Sequence, residues 1–241
     1  MALINCPECQ KKISNRALFC VHCGFPLKEF LAEQSNQQEQ NELKKLLYEN
    51  KSLHGLSKGK TIQFGSYFQE LDTSRKQPID WTVLETRGEY SLLISEKCLD
   101  IKPYNDISSA QWKGSSIQRW LNNDFLKTAF TSIEILLVCK IDEIKRCFNE
   151  YAYDIDANDI VFLPSPDETD KYSIFSACPT PYVENLRRCV LYIPCWLRCT
   201  DASDSYAYTA DGFKVNRPGE FVKQKNIGVR PCIWIKIPKD I

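Results

Sequence analysis

Four cysteines near the N-terminus, Cys6-Pro-Glu-Cys9 and Cys20-Val-His-Cys23-Gly24, form two knuckles separated by ten residues. Two thiolates three positions apart on a tight turn can both point at one ion, and a second such turn completes a tetrahedral shell. The pattern therefore predicts one zinc ion held by Cys6, Cys9, Cys20 and Cys23 in a closed, structural site. Gly24 follows the last ligand, where a backbone without Cβ can make the turn. The spacer is shorter than the roughly fifteen to twenty residues of the usual ribbon, yet Lys11 to Phe19 suffices for a short hairpin. His22 lies inside the second knuckle and is expected in solvent, since four thiolates already fill the shell. A segment of this size buries too little to offset chain entropy, whereas a structural zinc contributes roughly 10 to 16 kcal/mol. The alternative of two disulfides is disfavoured because Met-Ala-Leu-Ile-Asn offers neither a basic start nor an apolar run of secretory type. A reducing compartment, the cytoplasm, is expected.

Other chemistry is defined mostly by what is missing. Both histidines precede residue 55, so histidine-dependent nucleophile systems and hydrolytic zinc sites lack their central group beyond that point, unless His54 folds back. Gly55-Leu56-Ser57-Lys58-Gly59-Lys60-Thr61 imitates a phosphate-binding loop, but three residues instead of four separate its glycines and a strand-like run follows. Asp154-x-Asp156-x-Asn158 begins like a calcium loop, but Asp159 and Ser165 stand where glycine and glutamate are needed. It reads better as an acidic turn. Eight further cysteines make no knuckle and suit buried apolar positions. Cys189, Cys195 and Cys199 carry the alternative of a second metal or redox site in an oxidoreductase-like enzyme. Tyr206 and Tyr208 alternate on one face beside Asp204 and Asp211; with Arg198 they are the candidates for binding a ligand. The five tryptophans, Trp81, Trp112, Trp120, Trp196 and Trp234, fall mostly in core patterns.

The elements that must position these groups follow from periodicity. Leu27, Phe30, Leu31 and then Leu43, Leu46 and Leu47 predict helical turns joined by the polar stretch Glu33 to Glu42. The break in that seam argues against a sustained coiled coil. From residue 58 the pattern turns to strands, Thr61 to Phe68, Ile79 to Leu84 and Tyr90 to Ile94, with a hairpin at Arg87-Gly88-Glu89. Ser115 caps a helix whose Gln118 reaches back from the third position and whose Ile117, Trp120, Leu121 and Phe125 share a face. A second helix is expected from about Ser132 to Lys145. Ile160 to Leu163, Cys195 to Cys199, Tyr206 to Thr209 and Ile227 to Ile237 read as further strands. The class is α+β, organised as a zinc ribbon over residues 1–26, a helical linker over 27–57 and a larger mixed domain over 58–241.

Composition fits that division. With 43% apolar and 12% aromatic residues, the 241-residue chain can fill one sizeable core. Lys+Arg and Asp+Glu both number 31, so the electrostatic term that drives nonspecific nucleic-acid binding is absent, leaving only a weak role for Lys11, Lys12 and Arg16. Charge is uneven: residues 142–170 hold nine acidic and two basic side chains, and 214–239 hold seven basic and one acidic. Such blocks coat solvated faces or pair across a fold. No run reaches the about 18 apolar residues of a membrane span.

Ile62 to Tyr67, Pro78 to Leu84, Leu92 to Ser95, Ser116 to Asn122, Asp159 to Leu163, Trp196-Leu197-Arg198 and Gly228-Val229-Arg230-Pro231 occur in an order that resembles a bacterial domain family of unknown function. Its members frequently follow an N-terminal zinc ribbon. The resemblance covers residues 58 to 238. The closing Trp-Leu-Arg and Gly-Val-Arg-Pro segments are also similar to those of C-type-lectin-like and formylglycine-generating-enzyme-like folds, which implies a loop-rich α+β domain. Cys195, Cys199 and Cys232 stand where relatives tend to carry Ser, Ala or Trp, which favours packing for these thiols. The calcium-dependent sugar signatures of true lectins are absent. The resemblance thus implies a noncatalytic binding domain for a protein or small-molecule ligand, with no catalytic residue to carry over.

Overall fold

The computed structural model describes residues 2–148, 155–187, 192–198, 205–212 and 214–238. The chain divides into two compact units, Met1–Glu49 and Asn50–Ile241.

In the first unit, β1 (Leu3–Asn5) pairs antiparallel with β2 (Lys12–Ser14), Ile4 facing Ile13. The hairpin thus encloses the first knuckle, which is its turn, instead of lying within the spacer between the knuckles. The core consists of Cys6, Ile13, Cys20 and Leu27, with Ile4, Cys9, Ala17, Phe25 and Leu31 half-buried around it. Helix α1 (Leu27–Glu49) is continuous, although every residue from Ala32 to Glu42 is exposed. Its Gln, Glu, Lys, Leu and Ala content favours helix without a buried stripe, and Gln38 donates to Glu42 at 2.9 Å one turn on.

The second unit begins on a short turn tied to the first large-unit strand. Asn50 Nδ2 donates to Gln63 O at 2.9 Å, Ser52 Oγ accepts from Gln63 N, and Leu53 is buried. One sheet is antiparallel: β3 (Thr61–Tyr67), β4 (Gln77–Arg87), β5 (Tyr90–Ser95), β7 (Val161–Phe162) and β12 (Cys232–Lys236), in the order β3-β4-β5-β12-β7. Gly88, at φ 64°, makes the expected β4–β5 turn. The other sheet has β6 (Asp100–Ile101), β8 (Cys195–Trp196), β9 (Tyr206–Asp211), β10 (Lys214–Phe221) and β11 (Gly228–Val229), in the order β10-β9-β8-β11-β6, with β8 and β11 parallel. The class is α+β, as the sequence predicts.

Three sequence-based expectations are corrected in detail. The strand expected over Ile227 to Ile237 is split at Arg230-Pro231, and β11 and β12 serve different sheets. The helix expected over Ser132 to Lys145 is two helices, α4 (Ser132–Ile135) and α5 (Ile141–Phe148). Between them the chain straightens to bond with β12, Cys139 N donating to Trp234 O and Lys236 N to Leu137 O, both at 2.8 Å. Ser115 does cap α2 (Ser116–Trp120), accepting from Gln118 N, but Gln118 Oε1 accepts from the Gly114 amide instead of closing a capping box.

Trp81, Trp112, Trp196 and Trp234 are at most 1% exposed and form the largest apolar pieces of the core. Buried indole N–H groups require acceptors. Trp81 donates to Phe64 O and Trp196 to Lys102 O. Among the described residues no helix is long and apolar enough to cross a membrane.

Candidate metal centre

The ligand atoms of Cys6, Cys9, Cys20 and Cys23 all lie within 4.8 Å of one another. Cys6 Sγ is 3.7 Å from Cys23 Sγ, and Cys9 Sγ is 3.7 Å from Cys20 Sγ. A tetrahedron of sulfurs around an ion with metal–sulfur bonds of about 2.3 Å has edges of about 3.8 Å, so the cage is the right size. The close pairs join one cysteine from each knuckle, and no disulfide is formed by any of the ten described cysteines. The four thiols can therefore hold a metal ion.

The two knuckles are built alike. Cys6 N donates to Lys11 O and Cys20 N to Phe25 O, while Gln10 N donates to Cys6 O and Gly24 N to Cys20 O. Each turn closes on a left-handed residue, Gln10 at φ 62° and Gly24 at φ 80°. Gln10 is thus the counterpart of Gly24, a position the sequence reading overlooks; its place directly after the second cysteine was the available clue. Gln10 Nε2 donates to Pro7 O, which helps hold the turn.

Two of the four thiols are shifted, in opposite directions. At Cys20 burial disfavours charge, but the amides of His22 and Cys23 and the neighbouring thiols prevail and bring it down to about 7. At Cys23 the Phe25 amide favours the thiolate, yet burial and the adjacent sulfurs carry it up to about 12. His22 is exposed, outside the cage.

The candidate ligand-binding residues of the larger unit do not share one open site. Arg198 is 1% exposed. Its Nη1 donates to Leu163 O and to Glu168 Oε2, at 2.7 and 2.6 Å, and its guanidinium covers Phe162. Tyr206 is exposed against Phe221, and Tyr208 lies half-buried under Arg217. Next to them on β10 an open hollow of about 260 Å³ is lined by Lys214, Val215, Asn216, Arg217 and Gly219. Asp204, Cys189 and Cys199 fall outside the described residues. Cys195 is buried, and so are Cys98, Cys139 and Cys232; burial pushes the Cys139 thiol up to about 12.

Two buried acids, neither singled out by the sequence reading as a functional group, are fully engaged. Asp159 accepts from Trp112 Nε1 at 2.7 Å and Gln118 Nε2 at 2.8 Å, and Asn122 Nδ2 approaches it at 3.3 Å. Asn122 Oδ1 in turn accepts from the Ile160 and Val161 amides. Burial raises the Asp159 pKa against these bonds. Asp100 accepts from Tyr67 Oη, the Ile101 amide and Lys102 Nζ. Of the opposed charge blocks, Lys236 faces Glu143 at 3.8 Å near the surface, while Glu168 and Asp156 of the acidic block pair with Arg198 and Lys113, outside the basic block.

The profile of the family described as Domain of unknown function (DUF6273) matches residues 88–237, more than half of the chain, and the chain belongs to this family. The match spans β5 to β12, and so includes the Asp159 network and the Gly228–Pro231 segment. No curated protein and no solved structure matches the chain.

Proposed function

We propose that residues 1–26 are a zinc ribbon with one structural zinc on Cys6, Cys9, Cys20 and Cys23, followed by a helical linker over 27–57. The observation that carries this is the 3.7 Å spacing of sulfurs drawn from opposite knuckles, which suits a tetrahedral four-thiolate ion. Two of the four core residues of the unit are ligands, so the ion substitutes for an apolar interior. Elemental analysis should give one zinc per chain, lost in Cys6→Ser and Cys20→Ser. Stoichiometric iron, or metal retained in both variants, overturns the reading.

The larger domain, on this reading, is a noncatalytic binding module for a protein or small-molecule ligand, in a bacterial cytoplasm, with a lectin-like arrangement of its closing strands. The saturation of Asp159 and Asp100 supports it, because acids occupied by several donors are poorly disposed to move protons. Tyr206, Tyr208 and the hollow at Lys214 and Arg217 are the ligand-facing surface in this proposal. A small-molecule fragment screen by saturation-transfer NMR should find binders that Tyr206→Ala and Tyr208→Ala lose. Turnover of any substrate, abolished by a substitution in the larger domain, would sink it.

A further inference from the structure

A second thiol cluster lies on the seam between the two sheets of the larger unit. Where the chain passes from β5 to β6 and from β11 to β12, the crossing segments run side by side, Ser95 N donating to Pro231 O and Leu99 N to Val229 O, both at 3.0 Å. Cys98 and Cys195 meet there over Gly228. A Cβ on Gly228 would lie 2.6 Å from Cys98 Sγ and 3.0 Å from Cys195 Sγ, so the two sulfurs fill the space that any other residue would take. Cys98 is fully buried and Cys195 is 5% exposed. Their thiols donate outward to Asp100 O and Ile193 O, at 3.3 and 3.5 Å.

Packing alone explains two small side chains over a glycine. It does not explain the cation beside them. Arg230 follows Gly228 by two residues, on the same face of the extended chain. It is 8% exposed, and its guanidinium donates to the carbonyls of Ser95, Ile174 and Ser176, at 2.8, 3.4 and 3.0 Å, with no carboxylate in ion-pair range among the described residues. Burial disfavours this charge, and the leading groups that oppose burial are Cys195, Cys232 and Cys98, ahead of Glu96. A buried cation held by carbonyl dipoles attracts a thiolate formed at its side, although burial raises the resting Cys98 thiol.

We propose that Cys98 and Cys195 are a redox-active dithiol that closes to a disulfide across Gly228, with Arg230 positioned to stabilise the attacking thiolate. The oxidant class is a low-molecular-weight disulfide. Cys195, the less buried thiol, loses its proton to water when the seam opens locally, and its thiolate attacks one sulfur of that disulfide. The disulfide bond breaks, a mixed disulfide forms on Cys195, and one small thiolate leaves and takes up a proton. Cys98 then attacks Cys195 Sγ in the same way, and the second small thiol departs. The protein gives up two electrons and the oxidant is reduced to two thiols.

The test is to equilibrate the metal-loaded full chain with mixtures of oxidised and reduced glutathione, quench, alkylate under denaturing conditions and map peptides without reduction. A Cys98–Cys195 linked pair should grow as the oxidised share rises, while Cys139 and Cys232, equally buried, remain alkylated. Cys98→Ala should stop at glutathione on Cys195. Arg230→Gln should move the pH profile of the closing rate upward by about one unit, roughly tenfold slower near neutrality; a structural role alone would lower the melting temperature and leave the profile in place. No linked pair under mixtures that fully oxidise dithiothreitol, or linkage spread over all buried cysteines, overturns the proposal.

Discussion

The two units use the same side chain in opposite ways. In residues 1–49 the cysteines sit around a cage that can hold a metal ion, with little else to bury, and Cys23 is exposed. In residues 50–241 Cys98, Cys139 and Cys232 are buried in a core dominated by tryptophan, and burial raises all three thiols. A thiol becomes a ligand where its partners are a turn away and backbone amides stabilise the thiolate. It stays a neutral thiol at rest where desolvation raises its pKa. The first unit therefore offers four thiols that can hold an ion, and the second is held by shape.

Metal removal should separate the units most sharply. All five tryptophans lie beyond residue 80, so their fluorescence reports on the larger unit alone. A strong chelator should abolish the amide dispersion of the ribbon, a loss of about 10 kcal/mol of binding energy, while the tryptophan unfolding midpoint stays put. A midpoint that falls with the metal would break the distinction.

The converse change is Asp159→Ala, which strands the Trp112 indole N–H and the Gln118 side-chain amide in the interior, while Asn122 Nδ2 keeps the Gln118 and Val161 carbonyls. Denaturant unfolding followed by fluorescence should show a loss of about 3 kcal/mol, with zinc stoichiometry unchanged.

Acid titration sharpens the picture further. Burial would raise Glu85, but bonds from Arg87, Tyr172 and Lys171 prevail and hold its carboxyl at about 2, below the ordinary 4.5. A folded-state value below the unfolded one contributes stability above pH 4.5, which is lost as pH falls toward 2. Asp159 has the opposite sign: burial raises it, so its contribution weakens as pH rises through the folded value. Glu85→Gln should flatten the acid limb of the larger unit's stability curve and leave metal affinity unaltered.

The smallest effects test the likeness of the knuckles. Gly24→Ala forces a Cβ into the left-handed region with open space around it, and Gln10→Gly relieves the same strain in the other turn. Zinc-loaded stability should fall by about 1 kcal/mol in the first and rise by up to about 1 kcal/mol in the second, read by competition with a chromogenic chelator.

Much of the framework was legible because it rests on local rules. The alternation in β3 to β5, the turn at Gly88 and the Ser115 cap each depend on a few adjacent residues. β10 was not legible: Asn216, Pro218 and Gly219 spoil any period, and the register slips between Asn216 and Glu220. There Gly219 is pressed against the Ala207 carbonyl, where a Cβ would lie 2.0 Å from the oxygen, so the pairing depends on a neighbour outside its own segment. The break between α4 and α5 is of the same kind, imposed by bonds to β12. Arg198 reads as a ligand-binding candidate in the sequence because its partner Glu168 lies thirty residues earlier, beyond any local rule.

By itself the sequence determined the four cysteines that can hold a metal ion, because two knuckles fix their own geometry within a few residues each, and it determined the α+β class through hydrophobic period. Only the tertiary structure decided the two-sheet topology, the burial of Arg198, and the meeting of Cys98 with Cys195 over Gly228. The reason is range. Chelating turns are closed by neighbouring amides, whereas the seam exists only once β6, β8 and β11 are side by side, and no periodicity along a chain encodes which distant strands will pair.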